Sequence, residues 1–183
     1  MEHAIAHTLE MFTVQHSNFQ HKRNYISMSH SHLEAPDLLK QWFEGFKADK
    51  LQKLKCYKGY QMERDLVARL KATYGDRVQT GIEYSAFNGL VKGHPDFEFD
   101  GYPGDCKSVL MDDWIPGDGK LPLKVFKQLQ AYMLYGKKDR ALVIYESREN
   151  GQIYAKWLKA VPHVQAYIDK NFSNAVSQIP CAS

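Results

Sequence analysis

The sequence predicts a mixed α/β domain, a mixed central β-sheet flanked by helices. Three observations predict it. Helical patterns come first, over about Leu38–Phe46 and over Gly59–Gly75. Three short strand-like runs, joined by Gly and Pro turns, follow between Arg77 and Leu110. A helix over Leu121–Tyr135, strands over Arg140–Tyr145 and Gln152–Trp157, and a helix over about Pro162–Phe172 complete the order. Strands interrupted by helices in this way build sheets covered by helices.

Each element has a local reason. Residues 1–25 read as an arm, with a helix starting around Ile5, Leu9, Met11 and Phe12 and a polar stretch after it. His3 and His7, four apart, would suit a helical metal pair, but they, His16 and His21 also read as solvated histidines. The hydroxyls of Ser27–Ser31 can cap the entry into a helix whose apolar stripe is Leu38, Leu39, Trp42, Phe43 and Phe46. Lys50–Lys55 reads as a basic linker, either a solvated face or a phosphate contact. The helix from Gly59 carries Met62, Leu66, Val67 and Leu70 at core spacing, and Gly75 stops it. Glu63 stands at the edge of that stripe and can face a metal or water.

The β-rich block reads as an antiparallel meander: Arg77–Ser85, then Leu90–Phe99, then Asp105–Leu110. Gly101-Tyr102-Pro103-Gly104 is the expected turn before the third strand. Residues 112–120 read as a loop, in which Trp114 either stacks on a base or caps the core. In the Leu121–Tyr135 helix, Val125, Leu129, Tyr132 and Met133 make a core face, and Gln128 and Tyr132 share a side. Asn150-Gly151 is a hairpin turn. Residues 26–175 form the expected domain, and 176–183 the expected disordered tail.

The totals narrow the classes. A chain of 183 residues suits one domain, and 44% hydrophobic content supplies a core. A net charge of +3 permits nucleic-acid binding without the strong basic excess of a dedicated binder. Cys56, Cys106 and Cys181 lie far apart, which supports neither a disulfide framework nor a zinc ribbon and fits a reduced, cytoplasmic protein. No signal peptide and no apolar run of membrane-spanning length is evident, so no membrane partner is expected.

The chemistry concentrates between Gly93 and Lys107. Side chains two apart on a strand share a face, so Asp105 and Lys107 project together with Cys106 turned away. Asp96 on the preceding strand can meet them. Two carboxylates and an ammonium on one sheet face make poor core material unless they are paired or bind a metal. Mg²⁺ binds hard oxygens and keeps several waters, so Asp96, Asp105 and the Cys106 backbone carbonyl would suffice as ligands, with Glu63 completing the site or holding a second ion. Lys107 would orient or deprotonate a water and offset phosphate charge, its pKa depressed beside a dication. Glu98 and Asp100 share the Asp96 face and compete as ligands, ranked lower because Asp100 abuts the turn. An isolated D-x-K is weak evidence, since it usually marks an exposed strand ion pair. The Pro-Asp partner across a turn makes it stronger.

A resemblance follows from these residues. Gly93-His94-Pro95-Asp96 with Asp105-Cys106-Lys107 resembles the signature of the PD-(D/E)XK nuclease superfamily. Gln128-Leu129-Gln130-Ala131-Tyr132 resembles the Q-x-x-x-Y motif of its RecB-like, lambda-exonuclease-like branch. Gly59–Glu63 is similar to that branch's first motif, where an acid from a helix joins the site, and the Ser27–Ser31 helix entry is similar too. The resemblance runs from about Tyr25 to Tyr154. It implies a restriction-endonuclease-like core, Mg²⁺ or Mn²⁺ dependence and DNA as partner. It also implies that Gln128 and Tyr132 lie near the site, contacting DNA or supporting Lys107.

Two departures matter. The second acid is Asp105 where glutamate is commoner. An iron–sulfur cluster, present in some members, is not expected, because only Cys56 precedes the core and only Cys181 follows it. The leading expectation is a metal-dependent DNA nuclease, an exonuclease or repair and recombination nuclease. The alternatives are a site-specific endonuclease, a catalytically inactive nucleic-acid-binding protein of the same fold, or a structural protein with a surface Asp105–Lys107 ion pair. The family leaves room for a homo-oligomer or a phage recombination partner protein.

Overall fold

The computed structural model describes residues 24–44, 50–109 and 121–180, without the side chains of 50–56 and 58. The N-terminal helix and its histidines, Phe46, the 112–120 loop with Trp114, and Cys181 lie outside the described residues.

The fold is mixed α/β, two sheets flanked by helices. The strands are β1 (Ile26–Ser27), β2 (Val78–Gln79), β3 (Tyr84–Ala86), β4 (Val91–Gly93), β5 (Phe97–Phe99), β6 (Tyr102–Val109), β7 (Arg140–Ser147) and β8 (Ile153–Lys159). The helices are α1 (Ala35–Glu44), α2 (Lys50–Tyr74), α3 (Leu123–Tyr135) and α4 (Pro162–Val176). The larger sheet runs β2-β5-β6-β7-β8 and the smaller runs β1-β4-β3. In the larger sheet β6 and β7 are parallel, with α3 between them in sequence, and the other pairs are antiparallel.

The middle strand pair explains the layers. On β7, Ala141, Val143 and Tyr145 enter one core, with Leu129 and Met133 of α3 and Ile168 and Phe172 of α4. Leu142 and Ile144 point the other way, into a second core with Leu66 of α2 and Phe97. A strand buried on both faces needs the continuous apolar run that β7 carries. Cys106 belongs to the α2 side. Asp105 and Lys107 lie beside Val143 and Tyr145 in the parallel register, and so on the α3 side. The alternation expected from sequence holds.

Several expected boundaries move. Lys50–Lys55 is the start of α2, not a linker. The run has no Pro or Gly and is rich in good helix formers. Phe43, placed on the α1 stripe, is 52% exposed. The expected Arg77–Ser85 strand breaks at Gly81, whose φ is +78°, and its halves join different sheets. The expected Leu90–Phe99 strand breaks at His94-Pro95-Asp96, again with one half in each sheet. Proline cannot donate to a ladder. The single meander is therefore two sheets.

The β5–β6 turn also shifts. It is the two-residue loop Asp100-Gly101, with φ of 51° and 78°, closed by the Phe99–Tyr102 pair. Two consecutive positive φ angles are the mark of the mirror-image turns that match strand twist. Pro103 and Gly104 lie inside β6. α4 runs to Val176, and Ile179 beyond it packs against the core.

Candidate active site

The site forms where the β5–β6 ladder ends. Phe97 pairs with Gly104, and the Asp96 amide makes the last backbone bond of the ladder, to the Gly104 carbonyl at 3.0 Å. Beyond that point Asp96 turns out of the strand. Its side chain takes over: the Cys106 N–H donates to Asp96 Oδ2 at 2.7 Å. Alternate residues of a strand aim their N–H and C=O groups to the same side. The Cys106 carbonyl therefore faces the same opened edge as its N–H. Asp96 sits in a bend, not on a strand as expected, and the break is what lets its carboxylate cap the edge.

Asp105 and Lys107 meet as expected. Lys107 Nζ is 2.6 Å from Asp105 Oδ2 and donates to the Cys106 carbonyl at 3.2 Å. Asp105 is only 1% exposed, so the pair is not a surface ion pair. From α3, Gln128 Nε2 donates to Asp105 Oδ1 at 3.0 Å and to the Tyr132 hydroxyl at 2.9 Å. The Tyr132 hydroxyl in turn donates to the His94 carbonyl at 3.0 Å. Gln128 and Tyr132 are buried, and they hold Asp105 and the His94 backbone; the expected support of Lys107 is replaced by support of Asp105.

Glu63 faces inward. It lines a cleft of about 560 Å³ together with Asp96, His94 and residues 80–82. Burial raises its carboxyl pKa, and Asp105 adds to this, while Lys107 and Arg148 oppose it. Glu98 and Asp100, the competing acids, are directed elsewhere. Tyr84 donates a hydrogen bond to buried Glu98, and Asp100 pairs with Arg77.

The electrostatics are those of a crowded anionic corner. Burial, then the Asp105 charge, pushes the Asp96 carboxyl up to about 7, against Lys107 and the Cys106 N–H. Burial by itself would lower the Lys107 ammonium. Asp105, Asp96 and Glu63 outweigh it and hold the group above its usual range. The protein's own groups thus act opposite to the depression expected beside a dication. Burial raises the Tyr132 phenol, and Asp105 adds to this, so Tyr132 stays a neutral donor.

The donor set fits a hard dication on one observation. Asp105 Oδ2 is buried with no aligned hydrogen bond among the described residues; the lysine ammonium is its neighbour. No group of three His, Cys, Asp or Glu side chains among the described residues forms a cage by itself. An ion here would use two carboxylates, a carbonyl and water, which is the habit of Mg²⁺.

Some residues around the site are not marked by the sequence. Arg148, at the end of β7, donates to the Ser108 carbonyl at 3.0 Å and acts on Glu63. Tyr60, Arg64 and Lys71 share the cleft with Glu63. Their spacing is helical, but they lie outside the apolar stripe by which the sequence orients α2.

No family model matches the chain, and no curated protein matches it in sequence. Its fold is similar to solved structures. An alkaline exonuclease from Laribacter hongkongensis superposes with a TM-score of 0.64 at 14% identity, over 87% of this chain and 90% of that one. The protein SSO0001 superposes at 0.61 and 16% identity, over 90% of this chain and 83% of that one. A phage-related exonuclease from Haemophilus somnus superposes at 0.58 and 14% identity, over 84% and 92%. The fold is thus one that exonucleases use. Among the described residues no helix is long and apolar enough to cross a membrane.

Proposed function

We propose that the chain is a metal-dependent DNA nuclease that hydrolyses phosphodiester bonds, working as an exonuclease in repair or recombination. The cytoplasm as its location belongs to the same proposal. One observation carries the reading. A buried Asp105 meets Lys107 at 2.6 Å, beside an Asp96 carboxylate that is fixed by the intervening amide. Such charges need a function, because burying them costs stability.

Asp96, Asp105 and the Cys106 carbonyl would hold Mg²⁺ or Mn²⁺, with Glu63 flanking them. The ion, when bound, makes a water nucleophilic at neutral pH and offsets charge on the phosphate. Gln128 fixes Asp105 by Oδ1, leaving Oδ2 turned to the site. Tyr132 fixes the His94-Pro95-Asp96 bend through the His94 carbonyl. One helix thereby positions both acids. Lys107 keeps its proton at Nζ in the metal-free protein and presents a positive charge toward a phosphate oxygen. Phosphodiester chemistry rests mainly on such positioning and charge.

A second reading has one observation in its favour. The Lys107 ammonium already neutralises Asp105, which suits a silent site in a DNA-binding protein of the same fold. Incubation with linear, circular and single-stranded DNA separates the two. Degradation of linear DNA with Mg²⁺ or Mn²⁺, and none with EDTA, is expected. DNA bound but left intact with both metals would favour the silent site.

A further inference from the structure

α2 presents more than Glu63 to the cleft. Tyr60, Arg64 and Lys71 line it as well, on one helical face. Eleven residues of helix span about 16 Å. Tyr60 is a large aromatic left 49% exposed. The Arg64 guanidinium lies 5.7 Å from its ring centroid. Among the described residues neither Arg64 nor Lys71 takes part in an ion pair of 4 Å or less. The opposite wall, residues 80–82, belongs to neither sheet. The acids of the cleft, Glu63 and Asp96, sit toward the Asp105–Lys107 corner.

We infer that this face of α2 is a track for a single DNA strand leading into the candidate site. A base stacks on Tyr60, and the backbone phosphates lie against Arg64 and Lys71. An aromatic ring beside unpaired cations is the composition that holds unpaired strands without reading sequence. A cleft of about 560 Å³ is in the range of small-ligand sites, room for a nucleotide or two of one strand. The inference rests on the nuclease reading for the direction of the strand, and it deepens that reading by naming the substrate form.

Binding without turnover tests it. A fluorescein-labelled single-stranded oligonucleotide and a blunt hairpin of the same length are titrated with the full chain in EDTA, and anisotropy is followed. Tyr60→Ala is expected to weaken strand binding roughly tenfold, with Tyr60→Phe close to wild type. Arg64→Ala and Lys71→Ala should each lower the slope of log affinity against log salt by about 0.7. Wild-type affinity and slope in Tyr60→Ala, Arg64→Ala and Lys71→Ala would overturn the track. So would a hairpin that binds as tightly as the strand. Circular dichroism melting of each variant shows that these exposed substitutions leave the fold intact. The nuclease reading fails separately: a chain that binds the strand through Tyr60 and Arg64 yet cleaves nothing with Mn²⁺ keeps the track and loses the enzyme.

Discussion

Gln128 Nε2 lies 3.0 Å from Asp105 Oδ1 and 2.9 Å from the Tyr132 hydroxyl, so one amide ties an acid of the sheet to its own helix. The reversed amide would set an oxygen against a carboxylate, so charge alone fixes its orientation. The chain continues through Tyr132 to the His94 carbonyl, two residues before Asp96. α3 is therefore the common support of both acids.

Gln128→Ala removes that support. A buried acceptor left without its donor costs about 1–3 kcal/mol. For a chain of this size the melting temperature falls by about 2–4 °C for each kcal/mol. Mn²⁺ affinity or cleavage should fall about 10- to 100-fold, as when a ligand loses its orienting partner. Calorimetric Mn²⁺ titration and a cleavage assay check this. Wild-type values in both would show that Gln128 is only helix packing.

Asp105→Asn should abolish metal-dependent cleavage and leave the chain folded, since the amide keeps the shape of the carboxylate. Wild-type chain at 100 times the metal dissociation constant should gain about 2.7 kcal/mol of stability, and the variant much less. Thermal melts with and without Mn²⁺ measure the difference. Lys107→Met is expected to lose cleavage too. Breaking a fully buried pair costs about 3–5 kcal/mol, and less here because the Lys107 side chain is 27% exposed. Full activity in either variant would sink the nuclease assignment.

Gly93→Ala tests packing next to the site. A methyl group at Gly93 would stand 2.7 Å from Tyr132 Cε1 and 2.9 Å from Met28 Cβ. Both neighbours are buried, so overpacking of about 1–3 kcal/mol is expected. Because Tyr132 is displaced, cleavage should fall along with stability. A variant that melts like wild type would mean that this junction is looser than its contacts imply.

The acid side of the stability curve has a local contributor. Arg77 grips Asp100 through both oxygens, at 2.8 and 2.6 Å, and the Asp100 carboxyl lies below its usual pKa. A carboxyl depressed on folding stabilises the protein above its unfolded value, about 3.9, and that stability is lost as pH falls through the folded value. Asp100→Asn keeps the positive φ, which asparagine tolerates. The variant should melt slightly below wild type at pH 7, and the two should converge as pH falls below the folded-state value of Asp100. A gap that persists at acid pH would place the effect in the turn and not in the charge pair.

How much of this was legible depended on range. The Asp105–Lys107 face followed from strand alternation alone, and Gln128 with Tyr132 from helical spacing. Both are local rules that hold wherever the element lies. Glu63 stayed undecided between metal and water, because a residue at the edge of a stripe is turned by whatever packs beside it. The split of the meander escaped because Gly81 and the His94-Pro95-Asp96 bend mark breaks without saying that the two sides join different sheets.

The sequence by itself determined the α/β order, the strand at Arg140–Tyr145 and the shared face of Asp105 and Lys107, since each depends on residue type and period within one element. Only the tertiary structure decided that Asp96 leaves its strand to cap Cys106, that α3 anchors both acids, and that α2 turns Glu63, Tyr60 and Arg64 into one cleft. Those relationships join residues ten or more positions apart. They are settled by where the β5–β6 ladder stops and by which core each helix fills.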